Sequence, residues 1–273
     1  MSPNEGSQKE LPENQGMSQE EFQGLIQRAM LFKERSHDTY HSIHEPELLT
    51  KCMSTSDLTS QPSTIKNQAQ ETIGTVLIGD SMLERLKTTG ASTGLAQLDG
   101  SFNAGCGGDK IENVLYRLSF MSPLLEKQQI KLWVVMVGTN NLRKKGLRQS
   151  DIPLYRLLLQ ALLRIAPGSN ALVCEIFKRK DMEDRYVDEA NEMIKTLVTE
   201  MNGNLGKERI FWSDAPADVT KERLEDHVHL DSEGYQIWDK TLLPRVERLL
   251  APAPFVTDTV VSPEVVPSLD DQI

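Results

Sequence analysis

The sequence has few of the features that mark secreted, membrane-spanning or metal-binding proteins. Its three cysteines, Cys52, Cys106 and Cys174, are scattered and form no CxxC pair, which argues against a disulfide framework, a zinc site or a redox motif. No apolar run approaches the roughly 18–20 residues that cross a bilayer, and the first residues show neither the basic nor the apolar region of a signal peptide. We therefore expect a cytoplasmic protein without a transmembrane segment, and the sequence leaves nuclear residence open.

Clustered basic charge is also scarce. The 273 residues include 30 Lys and Arg against 40 Asp and Glu, which gives a net charge of −10. Residues 71–250 hold 26 acidic and 24 basic residues, and no basic run is longer than three residues, as at 143–145. Binding to a nucleic-acid backbone needs a clustered basic surface, so we expect no nucleic-acid partner. Aromatic residues make up only 5%, which indicates that part of the chain packs no core.

The two ends of the chain differ in composition from its centre. Residues 1–70 are rich in Ser, Gln, Glu, Asn and Thr, and we expect a mostly disordered extension there. Within it, Ser18 and Glu21 have capping-box spacing, and the apolar residues that follow predict an amphipathic helix near 18–35. That helix either docks on the domain or binds a partner. Residues 251–273 contain four prolines, four acidic residues and no basic residue, which is typical of a disordered tail.

The centre, residues 71–250, alternates strand and helix patterns. Short apolar runs predict strands at 75–78, 131–137, 171–176 and 210–212, with a weaker candidate at 98–102. Helical periodicities lie between them, and Asp109 is placed to cap the helix that begins at Ile111. Such alternation predicts an α/β fold in which a mainly parallel sheet is covered by helices on both faces. Sites in these sheets form at the C-terminal ends of the strands.

Polar and glycine residues follow the strands at these positions. Ser81 ends a Gly-Asp-Ser triplet after the first strand, the glycine-rich segment 103–109 follows the second, and Asn140 follows the third. Asp226 and His229 precede the last long helix, at a spacing that lets a carboxylate orient an imidazole. Each feature alone has an ordinary structural interpretation, such as a helix cap or a turn. Together they supply a nucleophile, amide donors, a base and an acid once each, as acyl transfer requires.

Other chemistries fit the same residues less well. The glycine-rich segment could cradle a phosphate, but it lacks the lysine of a Walker motif. Asp226, His227 and His229 could bind a metal, but no further ligand has motif spacing. Cys106 has no histidine tied to it by a motif, so we interpret it as a packing residue. We therefore expect neither a metal nor an organic cofactor.

These residues carry a family resemblance. Four blocks, Gly79-Asp80-Ser81, Gly105, Gly138-Thr139-Asn140 and Asp226 with His229, are similar to those of the SGNH (GDSL-type) esterases and lipases. More narrowly, the stretches VLIGDSMLERL, NAGCGGDKIENVLYRL and WVVMVGTNN resemble the catalytic alpha subunits of intracellular platelet-activating factor acetylhydrolase. The resemblance covers about residues 74–250. It implies a flavodoxin-like, three-layer αβα sandwich.

The resemblance also implies roles for the site residues. Ser81 would be the nucleophile, His229 the general base and Asp226 the residue that orients it. The oxyanion hole would consist of the Ser81 and Gly105 backbone N–H groups and the Asn140 side chain. The implied activity is hydrolysis of carboxylic esters, with short-acyl esters of lipids or small alcohols as the expected substrates. A homodimer is the implied assembly.

Two further expectations concern selectivity and an alternative function. Met82, Thr139 and Val228 flank the proposed catalytic residues in sequence, so we expect them to contact the acyl group. The alternative is a catalytically idle domain of the same fold that binds a protein partner through residues 18–35 or the tails.

Overall fold

A computed structural model describes residues 17–52 and 72–251. The predicted acidic tail, apart from Ala251, lies outside the described residues, and so do positions 1–16 and 53–71 of the N-terminal region.

Five parallel strands form the central sheet, as the sequence predicts. They are β1 (Thr75–Gly79), β2 (Ser101–Gly105), β3 (Leu132–Met136), β4 (Asn170–Cys174) and β5 (Ile210–Ser213), in the spatial order β2-β1-β3-β4-β5. All of β1 and β3 is buried, because helices cover both faces of the sheet. The order reverses at β1, which has β2 on one side and β3 on the other, and ligand sites form beside such a reversal.

Eight α-helices are described. They are α1 (Gln19–Ala29), α2 (Glu34–Thr39), α3 (Glu45–Cys52), α4 (Ser81–Glu84), α5 (Ile111–Leu125), α6 (Ile152–Ile165), α7 (Asp184–Leu205) and α8 (Ser232–Leu250). Val76 and Ile78 of β1 share a core with residues of α1, α3, α5, α6 and α7. Leu77, on the opposite face of the same strand, packs with residues of α4 and α8. The fold is therefore a three-layer αβα sandwich, and no helix within the described ranges is long and apolar enough to cross a membrane.

Strand β2 lies three residues later than the sequence pattern indicates. The predicted strand covered 98–102, whereas the observed strand is Ser101–Gly105. Its inner residues alternate between buried and half-buried, because β2 is an edge strand of the sheet. The polar Asn103 in its centre donates to the Leu83 carbonyl oxygen at 2.7 Å. Because Asn103 is polar, residues 101–105 do not form a continuous apolar run, and the sequence pattern places this strand incorrectly.

The N-terminal region is more ordered than we expected. The predicted capping box is present, since Ser18 Oγ accepts from the Glu21 N–H and the Ser18 N–H donates to the Glu21 carboxylate. Helical structure does not stop near residue 35, however, but continues through α2, a π-helical turn at Tyr40–His44, and α3 to Cys52. The expectation of a mostly disordered extension is therefore wrong for residues 19–52. The physical reason is burial, since Phe22, Leu25, Tyr40 and Leu48 join the core.

Candidate active site

Ser81 lies at the point where β1 ends and α4 begins. Asp80 is the N-cap of α4, and its carboxylate accepts from the Met82 N–H at 3.0 Å. The Asp80 N–H in turn donates to the Met136 carbonyl oxygen at the end of β3. From the neighbouring helix α8, the Tyr235 hydroxyl donates to the Met82 carbonyl oxygen at 2.8 Å. The turn that carries Ser81 is thus fixed by both the sheet and α8.

A chain of hydrogen bonds joins the three predicted catalytic residues. Ser81 Oγ lies 2.8 Å from His229 Nε2, and His229 Nδ1 lies 2.7 Å from Asp226 Oδ2. Ser81 and His229 are 148 positions apart in the sequence, so it is the fold that brings them together. Both distances suit proton transfer from a hydroxyl to an imidazole that a carboxylate orients.

The loop before α8 holds Asp226 in place. Its Oδ1 atom accepts from the backbone N–H groups of Val228 at 2.7 Å and His229 at 2.8 Å, while Arg85 lies 3.9 Å from its Oδ2 atom. Partial burial by itself raises the pKa of Asp226, but the hydrogen bonds from the His229 ring and from these two N–H groups outweigh it and hold the pKa well below its usual range. Asp226 is therefore ionised and acts as an acceptor towards His229.

Gly105 does not have the role that we expected for it. Its N–H donates to the Asn103 side-chain oxygen at 2.9 Å, so that donor is already used. A Cβ at this position would collide with the backbone of Leu83 and Glu84. Gly105 therefore allows β2 to pass close to α4, and the prediction that it supplies an oxyanion donor is wrong.

Gly107 and Gly108 are better placed to supply the backbone donor. Both line one cleft with Ser81 and His229, and Gly108 adopts φ +73°, a conformation that favours glycine. Within the described parts of the chain, neither residue donates its N–H to another protein group. The cleft is lined as well by the charged side chains of Lys33, Arg35, Glu84 and Arg85.

Asn140 follows β3 and reaches the same region. Its Nδ2 atom donates to the Asp109 carbonyl oxygen at 2.9 Å, and because an amide carries two N–H bonds, one remains for a ligand. The neighbouring Asn141 is structural. It accepts from the Ile111 N–H at 3.0 Å and donates to Glu112 at 2.9 Å, which fixes the start of α5.

Arg117 and Asp109 form a buried ion pair next to the glycine-rich loop, and the sequence patterns do not predict it. Arg117 and Asp109 are both fully buried, and Arg117 Nε donates to Asp109 Oδ2 at 2.7 Å. The guanidinium also donates to the carbonyl oxygens of Ala104 and Gly79 at 2.7 and 3.0 Å. Asp109 therefore does not cap α5 as we expected. Instead, with Ser36 Oγ 2.5 Å from its other oxygen, it ties the glycine-rich loop to the ends of β1 and β2.

The three predicted acyl-contacting residues do not line the cleft in this structure. Met82 belongs to the apolar core shared with α8, because successive residues of a helix face different directions, so the expectation for Met82 is wrong. Thr139 is buried and accepts from Arg179 through its carbonyl oxygen at 2.7 Å and its hydroxyl at 3.3 Å. Val228 is buried within the catalytic loop. For these last two residues, contact with an acyl group stays a prediction.

Two other candidates from the sequence have ordinary roles here. Cys106 is buried, and that burial raises the pKa of its thiol, which disfavours the nucleophilic thiolate. The His227 side chain is 60% exposed and lies 4.0 Å from Asp181, away from the hydrogen-bond chain of Ser81 and His229.

The fold and the site together define a protein with a parallel α/β sheet, in which a serine, a histidine and an aspartate meet where the strand order reverses. A model of the GDSL-like lipase/acylhydrolase family matches residues 77–237. That span is more than half of the chain, so the chain belongs to the GDSL-like lipase/acylhydrolase family. Membership supports assignment as a hydrolase of the acylhydrolase or esterase kind.

Several solved structures are similar to this chain at low sequence identity. The family two carbohydrate esterase from Clostridium thermocellum, solved in complex with cellohexaose, is 12% identical with a TM-score of 0.51, over 70% of this chain and 67% of that one. A GDSL-like lipase from Bacteroides thetaiotaomicron VPI-5482 is 14% identical with a TM-score of 0.49, over 74% and 98%. A carbohydrate esterase family 3 protein from Talaromyces cellulolyticus is 18% identical with a TM-score of 0.49, over 65% and 98%. Among the curated proteins, none matches the sequence.

Proposed function

We propose that this protein is a serine esterase that cleaves carboxylic esters through an acyl-enzyme formed on Ser81. The observation that carries the proposal is the unbroken hydrogen-bond chain from Ser81 through His229 to Asp226, with contacts of 2.8 and 2.7 Å. Ser81 and His229 both line one cleft, and a domain without catalytic activity would not require their side chains to meet there.

The proposed reaction has two halves. Ser81 Oγ attacks the ester carbonyl while its proton passes to His229 Nε2, and Asp226 stabilises the imidazolium through Nδ1. The imidazolium then protonates the leaving alcohol. In the second half a water molecule gives a proton to His229 Nε2 and attacks the acyl-enzyme. The imidazolium then returns this proton to Ser81 Oγ as the acid leaves, which restores the free serine hydroxyl. The oxyanion formed in each half would accept hydrogen bonds from the Ser81 and Gly108 backbone N–H groups and the Asn140 side chain.

The lining of the cleft bears on the substrate. Lys33, Arg35, Glu84 and Arg85 surround Ser81 and His229, and such charged side chains suit a polar alcohol portion better than a long hydrocarbon chain. Together with the resemblance to the acetylhydrolase subunits, this supports short-acyl esters, acetyl esters above all, of lipids or small alcohols. If Thr139 and Val228 contact the acyl group, then Thr139→Ala and Val228→Ala will change the relative kcat/KM for acetyl and hexanoyl esters. An unchanged ratio in both variants rules out that contact.

The first test is covalent labelling of the serine. We expect a fluorophosphonate to add once to the wild-type protein, as measured by intact mass, and peptide mapping to place the adduct on Ser81. Ser81→Ala removes the adduct and the hydrolysis of 4-nitrophenyl acetate. Ser92→Ala is the matched control, because Ser92 is exposed and its hydroxyl only accepts from Gln236 at 3.0 Å.

The opposite outcome would favour the alternative function. If the folded wild-type protein takes no adduct and hydrolyses no ester of any acyl length, the triad is idle and the domain serves as a binding module. A cytoplasmic location and a homodimer stay predictions that accompany the proposed activity, and fractionation and light scattering would test them.

A further inference from the structure

Lys33 makes an unusual contact with the glycine-rich loop. It is the N-cap residue of α2, outside the region that matches the family model, and its Nζ atom donates to the Gly107 carbonyl oxygen at 3.2 Å. The same ammonium would lie 2.7 Å from a Cβ built on Gly108. The mechanism above gives Lys33 no role, although it lines the cleft of Ser81 and His229.

The contact controls the direction of one peptide group. The Gly107 carbonyl and the Gly108 N–H belong to the same peptide unit, and the described chain contains no cis peptide bond. In a planar trans peptide the C=O and the N–H point to opposite edges. A cation that holds the carbonyl on one edge therefore fixes the direction of the N–H on the other. It also polarises the amide, which strengthens that N–H as a donor.

Few other contacts fix this peptide group. On one side of it the Cys106 N–H donates to the Gly79 carbonyl oxygen, and on the other the Asp109 N–H donates to the Cys106 carbonyl oxygen. Within the described residues, Lys33 is the group that hydrogen-bonds the Gly107–Gly108 peptide itself. Two glycines in succession have wide conformational freedom, so without this contact the peptide could rotate.

The segment that carries Lys33 is itself anchored to the catalytic domain. Arg35 pairs with Glu84 of α4 at 2.9 Å, and Ser36 Oγ donates to the buried Asp109 carboxylate at 2.5 Å. Lys33 also lies 3.9 Å from that carboxylate, whose charge Arg117 already pairs with at 2.7 Å. The ammonium is therefore held at a defined place, closer to the Gly107 carbonyl oxygen at 3.2 Å than to the Asp109 carboxylate at 3.9 Å.

We propose that Lys33 is a positioning residue for the oxyanion hole, which orients and polarises the Gly107–Gly108 peptide so that the Gly108 N–H meets the developing oxyanion. This rests on the proposed esterase function. An oxyanion donor acts mainly in the transition state, so loss of Lys33 should lower kcat and leave KM nearly unchanged. The donor itself remains, so we expect a loss of about 10-fold, below the 10²–10³-fold cost of deleting a whole donor.

The experiment compares Lys33→Met, Lys33→Gln and Lys33→Arg with the wild type, using kcat and KM for 4-nitrophenyl acetate, the rate of fluorophosphonate labelling of Ser81, and Tm. We expect Lys33→Met to lose about 10-fold in kcat and in labelling rate, and Lys33→Gln to lose less because its side chain still donates a hydrogen bond. Lys33→Arg should keep most of the wild-type activity. Lys51→Met, on α3 and outside the cleft lining, is the control for loss of a positive charge.

The outcomes separate the two proposals. If the wild type is active and Lys33→Met keeps its kcat and labelling rate, the positioning role is refuted while the esterase function stands. If Lys33→Met loses activity only in proportion to its lower Tm, or if Lys33→Arg folds but does not regain activity, the contact is merely structural. A wild type with neither turnover nor labelling refutes the esterase function and this proposal with it.

Discussion

Asp80 should make the stability of the protein depend on pH in an unusual direction. Its side chain is fully buried beside the nucleophile, and its Oδ2 atom has no hydrogen-bond partner within the described structure. Burial raises the pKa of Asp80 from 3.8 to about 7, with the Asp109 charge adding to the effect and the Met82 N–H, Arg179 and Arg117 opposing it. The folded protein therefore holds this proton more tightly than the unfolded chain does.

The sign and size follow from linkage. A carboxyl whose pKa is higher in the folded state contributes stability that is fully present below its unfolded pKa and is lost as pH rises through the folded value. A shift of about 3 units corresponds to about 4 kcal/mol, so the contribution of Asp80 falls by up to ~4 kcal/mol between about pH 4 and pH 7. Above pH 7 it changes little.

Urea denaturation of wild type and Asp80→Asn at several values between pH 5 and pH 8 tests this reasoning. Asparagine cannot ionise, so the stability of Asp80→Asn relative to wild type should increase by a few kcal/mol as the pH rises to 7, and then level off. Its unpaired amide costs about 1–3 kcal/mol, but at every pH alike. Exposed Asp99→Asn serves as the control. A difference between wild type and Asp80→Asn that stays constant across this range would refute a raised pKa.

Two further substitutions test the ion pair and the amide donor. Arg117→Met removes the nearest cation from the buried Asp109 carboxylate and leaves only the more distant Lys33 ammonium and the Ser36 hydroxyl beside it, so urea denaturation should show a loss of about 3–5 kcal/mol. The exposed Arg143→Met should change stability little. A small loss in Arg117→Met would mean that Lys33 or a proton compensates the Asp109 charge. Asn140→Ala should lower kcat by about 10²–10³-fold and change Tm only modestly. Asn141→Ala loses the contacts to Ile111 and Glu112, so its main effect should be a lower Tm, with a smaller effect on kcat. Equal effects of the two asparagine variants on kcat would contradict the assignment of Asn140 as the donor.

The sequence predicts the sheet and the meeting of Ser81, His229 and Asp226 because both depend on local patterns. Strands β1, β3, β4 and β5 are apolar runs, and a parallel arrangement forces their C-terminal ends to one edge. Ser81 and Asn140 lie directly after such strands, and Asp226 with His229 needs only a three-residue spacing. Every one of these signals can be found within a few residues of the side chain concerned.

The misassigned residues depend on direction or on distant partners, which a local pattern does not contain. Gly105 and Gly108 look alike in the sequence, yet one permits close packing against α4, while the N–H of the other donates to no group among the residues that the structure describes. Met82 adjoins Ser81 but faces the core. Lys33 meets a loop 74 residues away, and Arg117 reaches the end of β1 across 38 residues. No spacing rule connects such pairs before the chain has folded.

The contacts of residues 33–36 indicate where the functional unit begins. The family model matches from residue 77, but Lys33 bonds the glycine-rich loop, Arg35 pairs with α4 and Ser36 bonds the buried Asp109. Each of these contacts ends on a group that positions Ser81 or the candidate oxyanion donors. Changes in the N-terminal helices would therefore act on catalysis as well as on stability, because Lys33 and Arg35, which form part of the cleft wall and bring positive charge to it, lie outside the region that the family model matches.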